Sequence, residues 1–266
     1  MISRRVTAER LLLLGWSRAI LLQMAHPLIA AGVFDHSGFR ASPLAAASRL
    51  HHTVGAMLDI TFGDEQASAR AIDGIRAIHA RVHGTLAESV GRYPAGTAYS
   101  AEDPSLVLWV HATLVDSMVT TFEWLVGPLT MDQRDRYCAE AAWVAAALGA
   151  REAEIPRTWS TMRAYVDQMV NDDTLIIGPH AAVVGRALLW SPLGVMLPGS
   201  GSLNRLMTAA LLPSRLREQY GLPWNARRAW FAERMAAVIR GVRWVTPDAI
   251  AMWASARRDH FPARAA

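Results

Sequence analysis

The chain has 266 residues, 52% of them hydrophobic and 19% charged, which is apolar enough for a large buried core and excludes a disordered chain. All 27 basic residues are Arg, and the absence of Lys excludes a Schiff-base lysine and a P-loop lysine together. The formal net charge of +4 is modest and the arginines are scattered, so nucleic acid is not an expected partner.

Arg4 and Arg5 precede an apolar run over 11–16, much like a secretory signal, but Arg18, Gln23, His26 and Pro27 interrupt the stretch after it. A buried helix over 7–25, stopped by His26-Pro27, fits better, with a peripheral membrane contact as the alternative. Residues 64–89 read as one helix with Ile72, Ile75, Ile78, Val82 and Leu86 along one side. A loop rich in Gly, Pro and Tyr comes next, over 91–101. Asp103 as N-cap and Pro104 at the first helical position then open a helix to about residue 126, closed by Gly127-Pro128. The apolar stripes of these two helices are expected to pack against each other. Thr130 and Gln133 form a capping box for a helix ending near 149, and Pro156-Arg157-Thr158 starts another that runs through 170. Residues 191–202, with Pro192 and Pro198, read as an irregular segment. Helices resume over 203–212, 225–241 and 247–258. Strand signals are scarce, so the expected fold is all-α, one helical bundle over 1–266.

Most catalytic signatures are missing. The sequence holds no His-Glu-x-x-His pair, no Glu-x-x-His pair and no Gly-x-Ser-x-Gly elbow. The lone cysteine, Cys138, excludes an intramolecular disulfide and a multi-cysteine metal site; it reads as a buried structural thiol of a cytoplasmic protein. Among nine histidines His111 stands out. On a helical wheel it sits amid Val107, Leu108, Leu114, Val115, Met118 and Phe122, while Asp116, Thr120 and Glu123 fall opposite. An imidazole there needs a partner. That partner is a carbonyl or side chain in a structural role, or a metal; a single imidazole in an apolar cavity suits a haem iron.

Arg81 and Thr85 lie four residues apart, about 40° on the wheel, at the edge of the preceding helix's apolar stripe. His83 points about 160° away from Arg81, so it is not expected to share a pocket with it. A salt bridge for Arg81 and a hydroxyl bonded back onto its own helix for Thr85 are the structural alternatives. His26 and His36 read as helix-terminus or loop histidines.

Several blocks, taken in order, resemble one known family. They are Gln23-Met24-Ala25-His26-Pro27 through Val33 with Asp35-His36-Ser37, then His79-Ala80-Arg81-Val82-His83-Gly84-Thr85. Tyr99 through Pro104, Leu108 through Leu114, Gly127-Pro128-Leu129, Leu211-Leu212-Pro213 and Tyr220 through Trp224 continue the series. This combination resembles the bacterial oxygenase MpaB family, whose catalytic domain is shared with the latex clearing proteins, or rubber oxygenases. The resemblance implies a globin-like helical core binding one non-covalent haem b, with His111 as proximal iron ligand and Arg81 and Thr85 as pocket residues. It implies oxidative cleavage of a carbon–carbon double bond, or a related oxygenation, in an apolar, isoprenoid-like small molecule by dioxygen. A haem-binding sensor or carrier, or a cofactor-free scaffold, is the rival reading. Rubber oxygenases carry a lysine before the threonine that can occupy the distal iron position; Gly84 stands there in this chain, so that resting state is unavailable. Glu65 lies at the spacing of an acidic residue near the distal pocket of those enzymes.

Overall fold

The computed structural model describes residues 1–37, 43–190 and 200–260. The chain opens with α1 (Ile2–Thr7), a 3₁₀ segment (Arg10–Gly15), α2 (Trp16–Met24), α3 (Pro27–His36), α4 (Pro43–Phe62) and α5 (Glu65–His79). A short antiparallel ribbon comes next, β1 (His83–Thr85) against β2 (Ala98–Ser100). Then come α6 (Pro104–Leu125), α7 (Met131–Ala147), α8 (Trp159–Asn171), α9 (Pro179–Leu189) and α10 (Ser200–Leu211). The chain ends with α11 (Ser214–Gln219), α12 (Ala226–Val245), α13 (Asp248–Ala251) and α14 (Ala254–His260). The architecture is a helical bundle.

α6 is its axis. The Asp103 carboxylate accepts from the Ser105 amide at 2.8 Å, and Pro104 fills the first position, where a missing N–H costs nothing. Buried residues then run from Leu106 to Leu125 on every side, the mark of a helix enclosed by others rather than lying on a surface. It is long and apolar enough to cross a membrane, yet 78% of its apolar window is buried within the protein, as in a core helix. α2, the 3₁₀ segment, α7 and α8 pack around it. The largest core cluster joins Leu21, Leu22, Trp109, Val119, Phe122, Met162 and Leu216.

The caps that close the helices are those the residue types dictate. Thr130 and Gln133 make a reciprocal capping box at α7, and Thr158 with Thr161 makes one at α8. Asn225 caps α12, accepting from the Arg228 amide at 2.9 Å.

The expected helix over 64–89 is overturned. α5 ends at His79, and Arg81 and Val82 donate 3₁₀-type bonds to Ile78 and His79 before the chain turns into β1. Two features end it: Gly84 lets the ribbon lie flat against Tyr99, and the turns between the strands use Gly91 and Gly96 at φ of 57° and 83°. The expected packing of this helix on the next is overturned too, because α5 packs on α4. The helix expected over 7–25 is split by the 3₁₀ segment, and that over 247–258 is broken into α13 and α14. Residues 191–199 of the expected irregular segment lie outside the described residues, and α10 starts at Ser200.

Candidate functional site

His111 projects from the N-terminal half of α6 and is 8% exposed. Its Nε2 is buried and has no hydrogen-bond partner. Burial pushes its pKa down to about 4, so the ring is neutral near pH 7 with an unused nitrogen. Leaving such an atom unmatched costs about 1–3 kcal/mol in the ligand-free chain. The structural alternative, a core histidine satisfied by a carbonyl, therefore fails for this nitrogen.

Two further imidazoles share this property and were not singled out by pattern. His26 is buried at the start of α3, with Nδ1 unmatched and Nε2 at 3.3 Å from the Tyr93 hydroxyl. Burial is the main cause that lowers its pKa to about 4, while the Asp103 carboxylate acts in the opposite sense. His79, the last residue of α5, has its Nδ1 unmatched; burial lowers its pKa and Glu102 partly offsets this. The only advance signal was their place in the two blocks Gln23 through Pro27 and His79 through Thr85.

Arg81 and Thr85 occupy the α5–β1 connection and β1, not a helix, and both are exposed. The wheel argument that separated them from His83 is corrected accordingly: His83 and Thr85 are two apart in one strand, so they share a face of the ribbon. Among the described residues no hydrogen bond or ion pair holds the Arg81 guanidinium. The opposite face carries Gly84, across from Tyr99 in the register. A Cβ at position 84 would lie 2.5 Å from the Tyr99 hydroxyl oxygen. That hydroxyl donates to Asp35 at 2.6 Å, and His36 Nε2 is 3.1 Å from the His83 carbonyl oxygen. The glycine therefore lets Tyr99 latch the ribbon to α3, and a lysine side chain would displace that ring. Glu65 is exposed in the first turn of α5, next to the Asp64 cap, where a carboxylate favours the helix dipole.

The stretch of α6 around Asp116 behaves differently. Asp116, expected on a polar outer face, is fully buried and receives Arg18 and Arg163, each at 2.6 Å. Arg18 also donates to Ser117 Oγ and the Leu211 carbonyl. Cys138 is buried and its pKa is pushed up to about 12, chiefly by burial, which leaves an inert thiol. A narrow apolar crevice lies between Leu12, Gly15, Trp16 and Ala19 on one side and Leu114, Ser117 and Met118 on the other. It is too narrow to admit a water molecule, far short of the roughly 300–1,000 Å³ of a small-molecule site. Leu114 and Met118 come after His111 at helical spacings of three and seven, so the crevice continues the face that bears the imidazole. Among the described residues no three His, Cys, Asp or Glu side chains form a metal cage.

A neutral imidazole with an unmatched nitrogen in an apolar core meets the family assignment here. Residues 3–241 match the family model described as ER-bound oxygenase mpaB/B'/Rubber oxygenase, catalytic domain. The chain belongs to this family. Its relatives include Uncharacterized protein Rv2237 of Mycobacterium tuberculosis and Uncharacterized protein Mb2261 of Mycobacterium bovis. Each is 25% identical over 231 residues, covering 83% of this chain and 84% of the relative. No solved structure matches. Membership in the MpaB/rubber oxygenase family makes oxidoreductase chemistry of the oxygenase type the family-level activity, and the match begins before α1 ends and reaches into α12.

Proposed function

We propose that residues 1–266 form one catalytic domain with a globin-like core, a haem-b oxygenase acting on an apolar, unsaturated small molecule. The observation that carries this reading is the buried Nε2 of His111, an orphaned donor atom in an apolar core of an oxygenase-family chain. Its chemistry fits the group: a neutral imidazole is the form that ligates iron, and burial keeps it unprotonated. Haem b, when bound, supplies the iron chemistry that activates dioxygen and cleaves or oxygenates a double bond.

The remaining tasks belong to the chain. His111 would hold the haem iron through Nε2, and its apolar neighbours on α6 exclude water. Arg81 offers a permanent cation with no paired carboxylate among the described residues, suited to a propionate or to a polarised oxygen ligand. Thr85 contributes a hydroxyl on the same segment.

Titration of the purified protein with haemin tests this reading. One equivalent should bind with a sharp Soret band, and His111→Ala should lose most of that binding while staying folded. Oxygen uptake with unsaturated isoprenoids then separates an oxygenase from a carrier. A protein that binds no haem, or a His111→Ala variant with full haem content and an unchanged spectrum, contradicts the proposal.

A further inference from the structure

α12 lies on the bundle with a narrow inner edge. Ala232 and Ala236 are buried; Ala236 packs with Leu125 and Met207, and Ile239 lies against the same cluster. The polar groups on this side are matched. Glu233 accepts from the Trp124 indole, Arg240 donates to the Trp124 carbonyl, and Arg243 pairs with Glu9 and Asp248.

The outer face has the reverse character. At 100° per residue, Arg227, Trp230, Phe231, Arg234, Val238, Val242 and Val245 fall within roughly 120° of one another, opposite Ala232 and Ala236. Trp244 stands at the edge of this arc, 87% exposed, and Val245 is 70% exposed. Ile250 on α13 is 63% exposed just beyond the helix end. No carboxylate lies within the arc, and among the described residues none pairs with Arg227, Arg228 or Arg234; Arg234 instead sits over the Trp230 ring at 5.4 Å. A solvated helix face is normally polar, so a continuous face of Trp, Phe, Val and Arg lacks its partner.

Charge selects that partner. A two-fold contact with a second copy would set arginines against arginines with no acid between them, which like-charge repulsion opposes. An anionic bilayer satisfies both components at once, since its acyl boundary takes the valines and Phe231, its headgroup region suits Trp230 and Trp244, and its charge meets the arginines. We propose that the outer face of α12, extended by Ile250, docks the protein on an anionic lipid surface. The proposal rests on this face alone and is independent of haem binding.

Co-sedimentation of the full-length protein with vesicles tests it, using phosphatidylcholine alone and phosphatidylcholine with about one-third phosphatidylglycerol. Binding should occur to the anionic vesicles, weaken with salt, and bring a blue shift of tryptophan emission. The double variant Arg227→Glu/Arg234→Glu should bind more than tenfold more weakly, since each surface arginine contributes roughly fivefold. Trp230→Ser/Trp244→Ser should also lose binding and most of the blue shift. Both variants change exposed side chains, and an unchanged melting temperature shows that the fold persists. Parent-like vesicle binding by both variants, equal binding to neutral vesicles, or a concentration-dependent dimer abolished by the same substitutions would overturn the proposal.

Discussion

Two stretches of one helix, little more than a turn apart, treat their buried polar groups in opposite ways. Around Asp116 the match is complete: two guanidinium groups reach one carboxylate, and Arg18 has further acceptors in Ser117 and Leu211. At His111, and at His26 and His79 on other elements, a buried ring nitrogen is left without a partner. A satisfied buried network stabilises one packing, and nothing need be added to it. An unsatisfied donor atom has a use when a ligand completes it. The contrast sets a fully paired structural centre against the imidazole to which the proposal assigns the iron, within a single helix.

The largest effect should come from breaking the satisfied half. Asp116→Ala leaves Arg18 buried and unpaired, and chemical denaturation should show a loss of about 3–5 kcal/mol. A loss below about 1 kcal/mol would mean that the network does not hold the core together.

A pH effect probes the unsatisfied half. His26 is neutral in the fold with a pKa near 4, and takes a proton at the ordinary 6.5 when unfolded. Below 6.5 the unfolded chain therefore binds the extra proton, so this ring's contribution is full above pH 6.5 and declines toward pH 4, by up to about 3 kcal/mol. Denaturation of the haem-free protein across that window should show the decline, with a shallower slope in His26→Gln. An unchanged slope would place the ring in contact with water.

The ribbon gives an intermediate effect. Gly84→Ala must move the Tyr99 ring and disturb its bond to Asp35, at a cost of about 1–3 kcal/mol in thermal or chemical denaturation. A neutral result would mean that the ribbon shifts freely over α3.

The smallest effect on stability should come from His111→Leu, which exchanges an orphaned polar ring for an apolar side chain. The haem-free protein should change by less than about 1 kcal/mol, in either direction. A large loss would show that the ring is already satisfied in the haem-free fold.

How much of this was legible depended on the range of the interaction. Helix ends governed by local chemistry, such as Asp103-Pro104, Thr130 with Gln133 and Thr158, stand where their residue types put them. The stretch after His79 misleads because Val82 and Leu86 keep the helical rhythm into a ribbon. Gly84 and the Gly91–Gly96 turn marked the break, and periodicity alone gives those glycines no weight. Asp116 looks like a surface residue to any window on α6, since its partners are 98 and 47 residues away. His111 was visible as a polar residue on an apolar stripe, and the stripe did not depend on distant contacts. Arg81 and Thr85 were visible as motif residues, but the helical geometry that first linked them was wrong.

The role of His111 can be tested by replacing the side chain with a small-molecule substitute. His111→Gly removes the ring, and added imidazole offers the same nitrogen donor in the same apolar place. Haem affinity and the Soret spectrum should be lost in the variant and return as imidazole is titrated, while His26→Gly and His79→Gly retain haem without it. Full haem retention by His111→Gly without imidazole, with the loss falling on His26→Gly or His79→Gly instead, would contradict the assignment.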